Sequence, residues 1–173
     1  MHSDHAGTLP HARSAGRHAG LPRQTAQFLL KRPGSLRSRW LSWGVSLLAL
    51  VGAALLVWSS AIHILLWSDG YDSIPVIGPL FLAQGIGGIV VALAVAVFRR
   101  LAVLAVGAVT LAATAVGLLL TVYVGLFGYQ ESLAVPYAVS SLVIEFTGAA
   151  VLVVASLVLL AAPTGDRRSG ARR

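Results

Sequence analysis

Cysteine is absent from this chain of 173 residues, so it forms no disulfide, thiolate nucleophile, cysteine-ligated metal site or iron–sulfur cluster. Charge is scarce as well: 11% of residues are Asp, Glu, Lys or Arg, 57% are hydrophobic, and mean hydropathy is +0.82. Residues 41–67, 74–98, 101–130 and 132–144 contain no charged side chain of any of those four types. Uncharged apolar blocks of this length exceed what the core of a soluble domain uses, which excludes a compact water-soluble enzyme. The familiar catalytic signatures are missing too: the chain has no G-x-S-x-G elbow, no H-E-x-x-H, no P-loop and no Rossmann fingerprint.

What is present reads as four membrane crossings. A hydrocarbon core of about 30 Å needs roughly 20 helical residues, which predicts spans near 41–67, 77–98, 101–127 and 136–162. Seven cations precede the first span (Arg13, Arg17, Arg23, Lys31, Arg32, Arg37, Arg39), two separate the second from the third (Arg99, Arg100), and four follow the last (Arg167, Arg168, Arg172, Arg173). The other two connections hold no cation but do hold Asp69, Asp72 and Glu131. Because Lys and Arg beside a span are retained in the cytoplasm, both termini are expected there. The predicted fold class is therefore an all-α integral membrane protein, four transmembrane helices in an up-down bundle of a bacterial plasma membrane. The net charge of +7 and pI near 11.1 then serve topology and attraction to anionic lipid headgroups, and no nucleic-acid partner is expected.

The flanks divide into a basic cytoplasmic tail over 1–39, a membrane domain over 40–162 and a basic tail over 163–173. Residues 1–23, rich in His, Gly, Ser, Pro, Ala and Arg, are expected to be disordered because they bury too little surface to offset ordering entropy. The spacing of His2, His5, His11 and His18 matches no closed metal site. The apolar run Phe28-Leu29-Leu30 is expected along the inner membrane face, with Pro33-Gly34 separating it from the first span. That span follows too long a tail to be a cleaved signal peptide and is read as retained. Trp40 and Trp43 at one edge, and Trp67 and Tyr71 at the other, suit the membrane interface. Pro79 and Pro136 suit the first turns of the second and fourth helices. Small residues form stripes for close packing: Gly88, Ala92 and Ala96 on the second helix, and Thr110, Thr114, Gly117, Thr121 and Gly125 on the third.

Polar residues within the spans are the functional lead. Measured from the ends near the acidic loops at roughly 1.5 Å per residue, His63 lies about 6 Å deep, Gln84 about 10 Å, Tyr123 about 6 Å and Glu145 about 13 Å. All four fall in one half of the bundle and define a candidate polar pocket, with Ser59, Trp67 and Ser141 in support. The other half is nearly all Ala, Val, Leu and Gly, so a cavity is expected to open outwards. A charged Glu145 facing lipid would cost several kcal/mol, about 3 or more. It is therefore expected to face inward or be neutral, either as an interhelical hydrogen-bond partner or as a ligand or proton site. His63 is read either as an interfacial residue or as part of that pocket. Its contact with Glu145 requires reach, tilt or an intervening water. No metal site and no cofactor is expected. A bis-histidine haem needs a second intramembrane histidine, and one His with one Glu is an incomplete metal shell. A quinone is compatible with His63, Tyr123, Trp58 and Glu145.

Residues 63–84 follow the pattern H-x-x-L-W-x-x-G-Y-x-x-I-P-x-I-G-x-L-F-L-x-Q, carried by His63, Trp67, Gly70, Tyr71, Pro75, Gly78 and Gln84. This resembles a pattern of small four-span membrane proteins of actinobacteria, for which no activity is assigned. The layout is also similar to DoxX-like membrane proteins, although none of their functional residues maps here. The resemblance implies a fold and a membrane address. On the residues alone, the first reading is a non-enzymatic structural, assembly or lipid-associated component, with a homo-oligomer or another membrane protein as partner. The second is a small-molecule or proton-handling carrier, or a quinone-linked redox accessory, built on the polar pocket.

Overall fold

The computed structural model describes residues 29–163. The expected disorder of the first tail with its four histidines, Phe28, and the cations from Arg167 onward lie outside the described residues. Four long helices follow one another: α1 (Arg39–Ser68), α2 (Ile77–Phe98), α3 (Leu101–Tyr123) and α4 (Ala138–Ala161), with 3₁₀ turns at Pro33–Ser35 and Tyr71–Ser73. No strand occurs among the described residues. All four helices are long and apolar enough to cross a membrane, and short connections make them an up-down bundle. The molecule thus has a basic end, at Arg99–Arg100, and a loop end, carrying Asp69–Val76 and Val124–Tyr137.

The second span keeps its expected bounds, while two of the others move at the loop end. The third helix stops at Tyr123 instead of running to residue 127, because Gly125 (φ +81°) and Gly128 (φ +80°) turn the chain into a tight reversal closed by an antiparallel Leu126–Tyr129 bridge. The fourth starts at Ala138, so Pro136 precedes the helix rather than opening it, and Tyr137 enters it in the left-handed region at φ +67°. Val76 ahead of α2 is also left-handed, at φ +68° and ψ −48°, and the Ile77 amide donates to the Pro75 carbonyl at 2.8 Å. That is a γ-turn of the rare, strained hand, on a β-branched residue. Pro79 lies in the first turn of α2 as expected.

Packing differs between the two halves. Toward the basic end Val45, Ala49, Leu56, Val95, Leu104, Leu111, Leu152 and Leu159 form a closed apolar core. Glycines set the spacing beside it. A Cβ on Gly52 would overlap the Leu152 side chain, and one on Gly148 would lie 2.6 Å from Leu111 and 3.1 Å from Leu55. α1 and α4 therefore approach closely enough for short polar side chains to meet between them. On α2, a Cβ on Gly88 would overlap the Ser60 hydroxyl, and Ala92 is buried, so this small-residue stripe serves packing inside the chain. α2 and α3, although consecutive, pack against each other less than α1 packs on α2 or on α4.

The basic end is tied by residues ahead of α1. The Lys31 ammonium donates to the Leu160 and Ala162 carbonyls at 3.0 and 2.7 Å, satisfying acceptors that the end of α4 leaves free. The Lys31 carbonyl accepts from the Leu101 amide at 2.9 Å, and the Arg37 amide donates to the Pro163 carbonyl at 3.1 Å. Pro33 is buried. The proline turn thus separates this segment from α1, as expected, and anchors it to α3 and α4.

Candidate functional site

Looser packing between α2 and α3 leaves a cavity of about 500 Å³ in the loop-end half, within the range of about 300–1,000 Å³ usual for small-molecule sites. Its side walls are Ile77, Leu80, Phe81 and Gln84 of α2, and Thr110, Thr114, Gly117 and Thr121 of α3. His63 of α1 with Ser141 and Glu145 of α4 form the back, and Tyr71, Tyr129 and Glu131 from the connections form the roof. Leu80 and Val109, also lining residues, are exposed at 49% and 67%. Exposed apolar side chains on membrane-spanning helices face lipid, so the cleft has a lateral mouth between α2 and α3.

At the back, Glu145 is completely buried. Its Oε1 accepts from the Ser59 hydroxyl at 3.0 Å and from the Ser141 hydroxyl at 2.8 Å. Ser141 is one turn before Glu145 on α4, whereas Ser59 reaches across from α1, which the glycine contacts above permit. Oε2 has no partner. As a carboxylate this oxygen lacks a donor, and as an acid with its proton there it lacks an acceptor; a buried polar atom left so costs about 1–3 kcal/mol. Gln84 Nε2 is likewise buried and unpartnered, as is the Ser60 hydroxyl. His63 does not bond Glu145 directly. Its Nδ1 lies 2.8 Å from the Ser59 carbonyl, which can only accept. Nδ1 therefore carries a proton, and in the neutral ring Nε2 is the acceptor. Ser59 joins the pair, its carbonyl serving His63 and its hydroxyl serving Glu145.

The roof is a second polar unit. The Tyr71 and Tyr129 hydroxyls donate to Glu131 Oε2 at 2.5 and 2.7 Å, and the Ser132 amide donates to Oε1 at 2.9 Å. Tyr71 stacks on Phe81 with centroids 4.9 Å apart, and Phe81 meets the His63 ring at 5.0 Å. Tyr129 closes edge-on against Tyr71 at 6.1 Å. This aromatic row runs from the roof to the back of the cavity. Burial, then the bond to Glu131, pushes both phenols above the ordinary tyrosine range. Raised values in the folded state mean that this contribution to the roof's stability is complete below pH about 10 and is lost as pH rises beyond it. In a phenolate absorbance titration of the folded protein, Tyr71→Phe and Tyr129→Phe are each expected to remove one late-titrating phenol. Loss of an early-titrating phenol instead would show that the Glu131 cluster does not form.

Of the residues singled out from sequence, His63, Gln84, Ser141 and Glu145 line the cavity, and Ser59 lies behind it, bonded to Glu145. Two do not join them. Tyr123 is 71% exposed and outside the cavity, because it lies two residues, about 200° of helical turn, beyond the cavity-facing Thr121. Trp67 is half-buried but off the lining, which takes Leu66 from that turn instead. The threonine stripe of α3 lines the cavity from Thr110 to Thr121 rather than meeting a neighbouring helix, and Gly125 falls in the turn beyond. Sequence reasoning missed the Tyr71–Glu131–Tyr129 roof. Its signal was faint: one acidic residue beside an aromatic in a short connection, with its first partner 60 positions away.

Among the described residues no group of three or more His, Cys, Asp or Glu is placed to hold a metal ion. Comparisons of the chain with protein-family models, curated proteins and solved structures return no match.

Proposed function

We propose that this chain is a multi-pass protein of the bacterial plasma membrane that binds a small amphiphilic molecule in the cleft between α2 and α3. The polar head lies against Glu145, and the apolar body extends toward the lateral mouth. One observation carries this reading: a cavity of about 500 Å³ ends on a fully buried carboxyl group with an unpartnered oxygen. Both small-residue stripes support it over a structural or assembly role, since one is used inside the chain and the other lines the cavity. The same geometry suits a carrier, whose first step is this binding. The Arg99–Arg100 end faces the cytoplasm, so the roof lies outside and ligand enters from the membrane.

The binding reading is tested by a native mass spectrum of the full chain released from mild detergent. Wild type is expected to carry one small molecule per chain, and Ala113→Trp, which fills the cleft from α3, to lose it. A bare wild-type chain, or one carrying only another polypeptide, would overturn the reading in favour of an assembly component. Orientation is tested separately, because a chain without cysteine accepts single labels cleanly. Ser68→Cys is expected to react with an impermeant maleimide on intact cells and Gly34→Cys only after lysis; the reverse pattern inverts the topology.

A further inference from the structure

Hydrogen-bond inventory of the cavity wall identifies the class of ligand, on the premise that the cleft binds a small molecule as proposed above. Every lining hydroxyl that makes a hydrogen bond already donates its one proton to the protein. Thr110, Thr114 and Thr121 donate to the carbonyls one turn back on α3, at 2.9, 2.7 and 2.7 Å. Ser141 donates to Glu145, and Tyr71 and Tyr129 donate to Glu131. The Nδ1 proton of His63 is held by the Ser59 carbonyl. What remains for a ligand is mostly acceptors: Glu145 Oε2, His63 Nε2 and the free lone pairs of these hydroxyls. The donors left over in the lining are the buried Gln84 amide and the hydroxyl of the half-exposed Tyr137.

Charge and surface point the same way. Glu131 and Glu145 line the cavity and no Lys or Arg does. The row of His63, Phe81 and Tyr71 lines one side with aromatic rings. An acceptor-rich wall with two carboxyl groups disfavours a carboxylate or phosphate, and it leaves a neutral carbonyl compound one buried amide and one half-exposed hydroxyl to accept from. It rewards a molecule that brings its own N–H donors and a positive charge beside carboxyl groups and aromatic rings. We infer that the cleft takes an amphiphilic organic amine, its ammonium donating to Glu145 Oε2 and its aromatic or alkyl body between α2 and α3.

Three probes sharing one apolar body and differing in the head test this: naphthylethylamine, naphthylethanol and naphthylacetate. Each is measured by equilibrium dialysis against the full chain in nanodiscs, with empty nanodiscs subtracted. The amine is expected to bind at least about tenfold more tightly than the alcohol, and the acetate more weakly than either. Glu145→Gln keeps an acceptor for Ser59 and Ser141 and is expected to bring the amine down to the affinity of the alcohol. If alcohol or acetate binds as tightly as the amine, and Ala113→Trp abolishes that binding, the amine class is wrong while the cleft reading stands. If no probe shows binding sensitive to Ala113→Trp, the cleft reading itself falls. Should Glu145→Gln fail to fold, the ranking of the three probes on wild type still decides.

Discussion

Replacement of Glu145 by Leu is expected to lower the affinity for naphthylethylamine about 100-fold, the size of a lost charge-assisted hydrogen bond, while thermal stability in detergent changes by no more than about 1 kcal/mol. The two effects separate because the carboxyl group is poorly served by the fold that buries it. Its Oε1 receives two serine protons, but Oε2 receives none. Leu removes the orphan along with the acceptor. The freed Ser59 hydroxyl can then turn to the Leu55 carbonyl, one turn back on its own helix, while Ser141 competes with Ser140 for the Tyr137 carbonyl. Exchange of a buried, incompletely paired polar group for an apolar one of similar size is often close to neutral. Parallel melting curves and dialysis isotherms for wild type, Glu145→Leu and Glu145→Gln check this. Unfolding of the Leu variant with intact binding by the Gln variant would make Glu145 an interhelical strut and not a site residue.

A second large effect is expected at the junction of α2 with the loop before it. Gly78→Ala should destabilise the protein by about 3 kcal/mol, the upper end of overpacking costs. A Cβ there would lie 2.6 Å from the Asp72 carbonyl oxygen and 2.8 Å from that of Tyr71. These are backbone atoms, and the Gly78 amide also donates to the Ile74 carbonyl at 2.9 Å, so no side-chain rotation relieves the clash. The Tyr71–Ser73 turn must move, and with it the Tyr71 hydroxyl that holds Glu131. Gly87→Ala is the matched control. Nothing lies within 4 Å of its Cβ position, and replacing a helical glycine by alanine is expected to add up to about 1 kcal/mol of stability. Differential scanning calorimetry of the two variants gives the comparison directly; equal melting temperatures would show that the loop does not press on α2 as described.

The pattern at residues 63–84 acquires a physical meaning from these contacts. Gly78 leaves room for the turn, Gly70 enters it at φ +113°, Tyr71 grips Glu131, and His63 and Gln84 line the cavity beneath. Those residues build one wall and part of the roof of a single site. The remainder of the site comes from α3, α4 and the Val124–Tyr137 connection, for which local sequence offered only a threonine stripe and one glutamate.

Fold class, span number and nearly all helix bounds were legible from sequence because they depend on local quantities: runs free of charge, length against bilayer thickness and the punctuation of Gly and Pro. The polar bias toward one half of the bundle was legible for the same reason, since helical rise converts position into depth. Rotation about each helix axis was not. Tyr123 and Thr121 sit at nearly equal depth, and only the packing of α3 on α4 decides that one faces the cavity and the other its exposed flank. Nor could sequence show that Ser59 reaches Glu145, that two tyrosines 58 positions apart share one carboxylate, or that Lys31 caps α4. Each depends on how closely two distant segments approach. That distance is set by glycines and side-chain interdigitation between helices, which exist only once the bundle has assembled.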